Sequence, residues 1–198
     1  MIAYIQGELN FLGPTYVVIE AGGLGYHIHI SLHTYSELVN ARKEPGAHVR
    51  LFTYLHIKED AHTLYGFASE EERRLFSHLI SVSGIGPSTG RMILSSIAPS
   101  EMEEAIINGN VNLIKSVKGI GPKSAQRIIL ELQDKLKKEG RSSLIQTPVN
   151  ATAREEALSA LLMLGFTRNA VEKALNTVMK EAGDAPVELI IKNALKLL

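Results

Sequence analysis

The sequence predicts an α+β fold built from several small domains, with strands in its first third and helices over the remainder. Three observations support this class. Apolar and polar residues alternate over 1–67, apolar positions then recur at helical spacing, and a polar stretch at 140–151 interrupts the helices. We therefore predict a strand domain at 1–67, a helical domain at 68–139, a flexible linker at 140–151 and a second helical domain at 152–198.

Composition narrows the function classes. The 198 residues are 45% hydrophobic, which is enough to build real cores, and 21 basic residues balance 21 acidic ones. A neutral chain has no bulk attraction for nucleic acid, which says nothing about local patches. The absence of cysteine excludes disulfides, thiolate metal sites and a thiol nucleophile. No apolar run reaches the roughly 18 residues of a membrane span, and the first residues lack a signal-peptide pattern, so we expect a cytoplasmic protein without a membrane partner.

The first domain is assigned entirely to strands and turns. Glycine, asparagine and proline residues separate five segments of alternating character. The predicted strands are Met1–Leu9, Tyr16–Glu20, Tyr26–Leu32, His48–Ile57 and Thr63–Phe67. Five short strands with tight turns favour a closed or nearly closed barrel such as an OB-fold, and a small sandwich is the alternative.

Capping patterns mark the helices of the central domain. Ser69 with Glu72 three residues later forms a capping box that predicts the first helix. Pro99 begins another helix, and 124–138 forms a long one. The central domain is therefore expected to be entirely helical.

The last domain is predicted to hold three short helices. Thr152 with Glu155 forms a second capping box, and Asp184-Ala185-Pro186 begins the third helix. The apolar stripes contain Leu158, Leu161, Leu162, Val171, Leu175, Val178, Val187, Ile190, Ile191, Ala194, Leu195 and Leu198. Three helices of this length make a bundle near the lower size limit for independent folding.

An internal repeat is the most informative feature of the central domain. Residues 81–87, SVSGIGP, recur 35 residues later at 116–122 as SVKGIGP, and both copies lead into a helix. The glycines permit a tight turn with positive φ and a close approach of a ligand to the main chain. Backbone N–H groups at such a turn, beside a helix start, suit a phosphate. Two copies therefore predict contacts to both strands of a duplex without sequence readout.

Other interpretations of the glycine turns compete. A helix-to-helix turn without a ligand is the plainest one. A dinucleotide-binding loop is disfavoured because each turn follows a helix, and a P-loop is absent because the chain contains no Gly-Lys dipeptide. Residues 115–138 carry seven basic side chains against two acidic ones, which favours phosphate binding by the second copy. The first copy has Ser88 where the second has Lys123, so it would depend on backbone amides and Arg91.

These hairpins resemble those of tandem helix-hairpin-helix proteins, which bind the DNA backbone without regard to sequence. The whole chain, in order, is similar to the RuvA family. The similarity is carried by the start MIAYIQGEL, by HIKEDA at 56–61 leading to LYGF at 64–67, by the paired hairpins, and by the polar linker with its small helical tail.

The resemblance implies an assembly and a function. In this family the OB-fold barrel forms a tetramer around Holliday junction DNA, one subunit per arm, or an octamer in which two tetramers enclose the junction. The helix-hairpin-helix domain grips the backbone of each arm. The C-terminal domain binds RuvB, the hexameric ATPase that pulls the DNA, and the RuvC resolvase is a further candidate partner. The resemblance implies a subunit without catalysis or cofactor, active in recombination and repair in the bacterial cytoplasm and nucleoid.

The resemblance also assigns site residues. Glu59 and Asp60 match an acidic pin at the junction crossover, and Lys58 beside them is expected either to offset part of its repulsion or to contact a phosphate. The expected DNA contacts are Gly84, Ile85, Gly86, Ser88, Arg91, Lys118, Gly119, Ile120, Gly121, Lys123 and Arg127. The expected RuvB-binding residues are Leu161, Leu164 and Phe166, for which the alternative is a place in the core of the small bundle.

Two further function classes stay open on the residues. A helix-hairpin-helix enzyme needs either a catalytic Asp, for which Asp134 is the candidate, or paired carboxylates for Mg²⁺, for which Glu59 and Asp60 are the candidates. An adaptor whose last domain is similar to ubiquitin-associated domains, and which binds no DNA, is the other class. His27 and His29 share a strand face, but spacing places no third ligand, so zinc is not predicted.

Overall fold

The structure is a computed structural model that describes residues 2–41, 43–143, 153–182 and 185–198. The chain divides into two compact units, Met1–Gly140 and Arg141–Leu198. Strands open the first unit, and the remaining elements are helices. The predicted α+β class is therefore confirmed.

The amino-terminal strands close into a barrel in the order β1-β2-β3-β5-β4. The strands are β1 Tyr4–Leu12, β2 Tyr16–Ala21, β3 Leu24–Ile30, β4 His48–Ile57 and β5 His62–Phe67. All neighbours pair antiparallel except β3 and β5, which run parallel and close the barrel. The predicted closed barrel is confirmed, and the sandwich alternative is wrong.

Side chains from alternate positions of the strands fill the barrel interior. Every second side chain turns inward, and the buried set is Ile5, Leu9, Val17, Ile19, Ile28, Ile30, Val49 and Leu51. At Gly66 of β5 a Cβ would lie 2.5 Å from Ile28 Cγ2, so only glycine lets the parallel pair approach this closely. Strand β1 continues to Leu12, beyond the predicted end at Leu9. Its pairing with β2 shifts register between Leu9 and Phe11.

A helix inside the barrel region was not predicted. Helix α1, Leu32–Asn40, connects β3 to β4, although the segment had been assigned to strands and turns. Its N-cap is Ser31, whose side chain accepts a hydrogen bond from the Thr34 amide. Its buried residues are Thr34 and Leu38.

The helices that follow the barrel strands in the first unit surround one core. They are α2 Glu70–Ser81, α3 Pro87–Ser96, α4 Pro99–Ile107, α5 Val111–Lys115 and α6 Pro122–Ser143. The barrel contributes to this core through β5, because the rings of Tyr65 and Phe67 contact Phe76 of α2 at centroid distances of 5.4 and 4.8 Å. Barrel and hairpin helices therefore pack as one body within the unit.

The predicted capping box at the start of α2 forms only in part. Ser69 is the N-cap and accepts from the Glu72 amide at 3.1 Å, as predicted. The Glu72 carboxylate does not return to the cap. It is fully buried and accepts from the hydroxyls of Ser31 and Thr34 and from the Ala68 amide. This side chain therefore joins the start of α1 to the start of α2.

The second unit is the predicted three-helix bundle. Its helices are α7 Ala153–Met163, α8 Arg168–Ala182 and α9 Val187–Ala194. Thr152 of the second capping box and Asp184 lie outside the described residues. Helix α6 continues to Ser143, so the first four positions of the predicted linker are helical, and the flexibility of the linker stays a prediction. Within the described ranges no helix is both long enough and apolar enough to cross a bilayer.

Candidate nucleic-acid interface

The two glycine turns have the same backbone geometry. Gly84 and Gly119 both adopt φ of +89°, a conformation that side chains with a Cβ avoid. In each copy the isoleucine amide donates to a valine carbonyl at 3.0 Å, from Ile85 to Val82 and from Ile120 to Val117. The sequence repeat is therefore a structural repeat.

The central isoleucine of each Gly-Ile-Gly turn packs into the helical core. Ile85 and Ile120 are each only 5% exposed and belong to the helical core. Their amides are already engaged inside the turns. This corrects the expectation that these residues contact DNA, because neither side chain nor N–H is available.

The available amides belong to the helix starts. Gly86 is the N-cap of α3, Pro87 follows at the first helical position, and no side chain caps the helix. The first intrahelical bond runs from the Gly90 amide to the Gly86 carbonyl, which leaves the Ser88 amide without an intrahelical acceptor. A Cβ at Gly86 or Gly121 would meet nothing within 4 Å, so a bulky anion can approach both turns.

The predicted basic contacts separate into two groups. Lys118 and Lys123 are exposed beside the second turn, as a phosphate contact requires. Arg127 is also exposed, but its Nη1 donates to the Ser83 carbonyl of the first hairpin at 3.1 Å. Arg91 is partly buried, and its role in phosphate binding stays a prediction. Its Nη1 donates to the Thr15 carbonyl at 2.9 Å, so it fastens α3 to the barrel.

The basic segment 115–138 keeps its charges on the surface. All seven of its basic side chains are exposed, and Asp134, the candidate catalytic residue of the enzyme alternative, is exposed among them on α6. Within the described ranges no three histidine, aspartate or glutamate side chains are grouped to hold a metal ion. This surface offers phosphate-binding charge.

The acidic pair stands at the tip of a tight hairpin. The Lys58 amide donates to the Ala61 carbonyl at 2.8 Å, which places Glu59 and Asp60 at the tip of the exposed four-residue loop 58–61 between β4 and β5. The predicted place before the last barrel strand is therefore right. The role of the pair as a pin stays a prediction.

A row of rings crosses the outer face of the barrel. Tyr16 stacks on His27 at a centroid distance of 4.4 Å, His27 meets His29 edge-on at 4.9 Å, and His29 lies 5.8 Å from Tyr65. Burial lowers the pKa of His29 below its usual 6.5, and the charges of His27 and Arg91 lower it further. His29 is therefore uncharged at neutral pH.

Sequence reasoning did not find the cleft beside this row. The cleft encloses about 340 Å³ between the barrel and the first hairpin. Its lining residues are His29, His56, Lys58, Asp60, Ala61, Thr63, Tyr65, Pro87, Ser88 and Arg91. They come from β3, β4, β5, the loop after β4 and α3, so no local pattern brings them together.

The apolar group of the second unit divides between core and surface. Leu161 is 0% exposed and belongs to the bundle core, which corrects its assignment to a partner-binding surface. Leu164 is 61% exposed, and Phe166 is half-buried against the core. Gly165 between them has φ of +95°, which reverses the chain after α7. Of the three predicted residues, Leu164 and Phe166 remain accessible to a partner.

A closed five-stranded barrel joined to two matched Gly-Ile-Gly hairpins defines a barrel-bearing tandem helix-hairpin-helix protein. Three family models match this chain: the RuvA N terminal domain over residues 1–66, the SAM-like Helix-hairpin-helix tandem over 76–134 and the RuvA C-terminal domain over 152–198. The chain belongs to the RuvA family.

Relatives match over the whole length. The chain is 49% identical over 203 residues to a protein of Cytophaga hutchinsonii named Holliday junction branch migration complex subunit RuvA, covering 100% of both chains. Proteins of the same name from Christiangramia forsetii and Bacteroides fragilis are 49% and 47% identical, again over 100% of both chains. The similarity therefore extends through all the predicted domains.

Proposed function

We propose that this chain binds four-way DNA junctions as the non-catalytic subunit of a branch migration complex. The observation that carries the proposal is the pair of identical glycine turns, presented by the same unit that holds the acidic tip of the β4–β5 hairpin. Its relatives carry the name of that subunit. Turns of this kind hold phosphates and leave the base edges unread, so binding is sequence-independent.

The pin proposal follows from charge. Four subunits around a junction, one per arm, would bring four copies of Glu59 and Asp60 to the crossover. Exposed carboxylates repel phosphates, and their crowding separates the strands and keeps the junction open and square. The junction is thereby held at its arms by hairpins and is not gripped at its centre. A second tetramer on the opposite face would complete an octamer.

The second unit recruits the motor in this proposal. Leu164 is exposed at the α7–α8 turn, and Phe166 beside it is half-buried, which together offer a small apolar surface. We assign this surface to RuvB, the ATPase that moves the DNA, and keep RuvC as a further partner. Such a complex acts in the bacterial cytoplasm, at the nucleoid, during recombination and repair.

A salt titration tests the proposal. Binding is measured to a four-way junction and to a linear duplex of the same total length, over the same salt range. We expect much tighter junction binding at every matched salt concentration, with similar slopes per contacted arm. Equal affinities for the two DNAs would leave a generic duplex-binding protein and would overturn the junction assignment.

A further inference from the structure

The two hairpins differ in charge at one matched position. Lys123 follows Pro122 in the first turn of α6, whereas Ser88 follows Pro87 in the first turn of α3. Both side chains are exposed. A lysine at this position adds a full positive charge to the amides of the helix start. The first hairpin lacks that charge on its own helix.

The barrel places a cation, Lys58, in the same cleft as Ser88 of the first hairpin. Ser88 lines the 340 Å³ cleft from the α3 side, and Lys58 lines it from the barrel side, next to the acidic pair. Lys58 is exposed, and only its backbone amide is engaged, in the turn that frames the pair. Arg91 lines the same cleft, held there by its bond to the Thr15 carbonyl.

We propose that Lys58 replaces the lysine that the first hairpin lacks, so that this cleft is a composite phosphate site built by the barrel and α3 together. This inference rests on the proposed function and deepens it. It names the ligand as the DNA backbone phosphate beside the pin. The amides of the α3 start and the Lys58 ammonium bind it from two sides.

The other charges of the cleft are consistent with an anion of this size. Asp60 also lines the cleft and opposes a phosphate, whereas Lys58 and Arg91 attract one. His29 is neutral at pH 7, so it adds no charge there. Two cations against one carboxylate leave the cleft positive, and the removal of Lys58 leaves it without net charge from these three groups.

The composite site has a functional consequence. The second hairpin carries its own cation and binds a phosphate independently of the barrel. The first hairpin has a cation for its phosphate only when the β4–β5 loop supplies Lys58. Phosphate binding by the first hairpin therefore depends on the position of the acidic pair. One strand of each arm is thereby held at the point where it leaves the crossover.

The inference is tested by removing the positive charge of Lys58 and supplying one at Ser88. The salt slope of four-way junction binding is measured for the full chain and for Lys58→Met, Ser88→Lys and the double variant Lys58→Met/Ser88→Lys. Lys43→Met is the matched control, because Lys43 precedes β4 and Lys58 follows it, at the opposite end of the strand. Thermal unfolding confirms that each variant is folded.

We expect Lys58→Met to lower the slope by about 0.9, the value for one lost phosphate contact, and the double variant to restore it. Lys43→Met should leave the slope unchanged. An unchanged slope in Lys58→Met would overturn the inference, as would a lowered slope that Ser88→Lys does not restore. In either case a wild-type preference for junction over duplex would leave the proposed function standing, so the two failures are distinguishable.

Discussion

The guanidinium of Arg127 donates to the carbonyl oxygen of Ser83 at 3.1 Å, so the helix that follows the second hairpin holds the turn of the first. The two turns are therefore not independent. A cation that sequence alone assigns to a phosphate also links the two glycine turns.

Substitution of Arg127 by lysine separates these two roles. Arg127→Lys keeps the positive charge but loses the planar fork that reaches the carbonyl. We expect weaker duplex and junction binding, by about threefold to tenfold, with an unchanged salt slope, because a charge-assisted bond is worth on the order of 1 kcal/mol at an exposed site. Lys123→Met should instead lower the slope by about 0.9. A lowered slope in Arg127→Lys would contradict the bracing role.

Two glycines of the second hairpin make a matched pair. Gly119 has φ of +89°, so Gly119→Ala should destabilise the fold by roughly 1–2 kcal/mol in urea unfolding. Gly121 is free of that strain, and a Cβ there meets nothing within 4 Å. Gly121→Ala should leave stability unchanged and weaken DNA binding, because the methyl group occupies the approach of the phosphate. Wild-type affinity in Gly121→Ala would show that no ligand approaches this turn.

The buried Glu72 carboxylate is expected to be a stability determinant. Glu72→Ala leaves the buried hydroxyls of Ser31 and Thr34 without their carboxylate acceptor, whereas the Ala68 amide keeps the Thr34 hydroxyl oxygen as an acceptor at 3.2 Å. We expect a loss of about 3 kcal/mol in the free energy of unfolding. Glu71→Ala, one residue earlier and exposed, is the control and should change stability by less than about 0.5 kcal/mol. Similar losses in both variants would refute the special role of Glu72.

His29 should make stability depend on pH. Its pKa in the folded protein lies below 6.5, chiefly because of burial, so the unfolded chain binds a proton more readily. The contribution to stability is complete above pH 6.5 and is lost as the pH falls through the folded-state pKa. NMR titration of the ring measures this pKa directly, and His29→Gln should remove the corresponding pH dependence of unfolding. An exposed barrel histidine, in His48→Gln, serves as the comparison. A folded-state pKa at or above 6.5 would contradict the prediction.

The acidic pair should oppose tight binding. Glu59→Ala/Asp60→Ala removes exposed carboxylates from the β4–β5 tip, so junction affinity is expected to stay or to increase, and the migration rate with the motor to change. Electrophoretic binding and a strand-exchange assay measure the two quantities. Complete loss of junction binding by a folded double variant would exclude the pin assignment.

Sequence patterns predicted the strands and turns whose formation depends on residues close together in the chain. Alternation located all five strands because each barrel strand buries one face, and the repeat located both turns because Gly84 and Gly119 need the same φ. The sequence does not reveal helix α1, because its N-cap Ser31 is followed three residues later by Thr34 and not by Glu or Gln, so no capping box marks its start.

Long-range partners could not be predicted. Glu72 fits a capping box in sequence. In the structure, however, its carboxylate accepts hydrogen bonds from the hydroxyls of Ser31 and Thr34, about 40 residues earlier in the chain. The sequence assigns Arg91 to a phosphate site and gives no sign of the Thr15 carbonyl to which its guanidinium also donates. Leu161 looks like its neighbour Leu164, and only the packing of three helices distinguishes core from surface.

Strand β5 has one end at the acidic tip and the other at the aromatic cluster. It is hydrogen-bonded along β3 on one side and β4 on the other, and Phe67 at its end packs on Phe76 of the first hairpin helix. The acidic tip therefore adjoins a strand that is held along both edges. Under the proposed function, a displacement of the tip by moving DNA would pass along β5 to the helices of the hairpins.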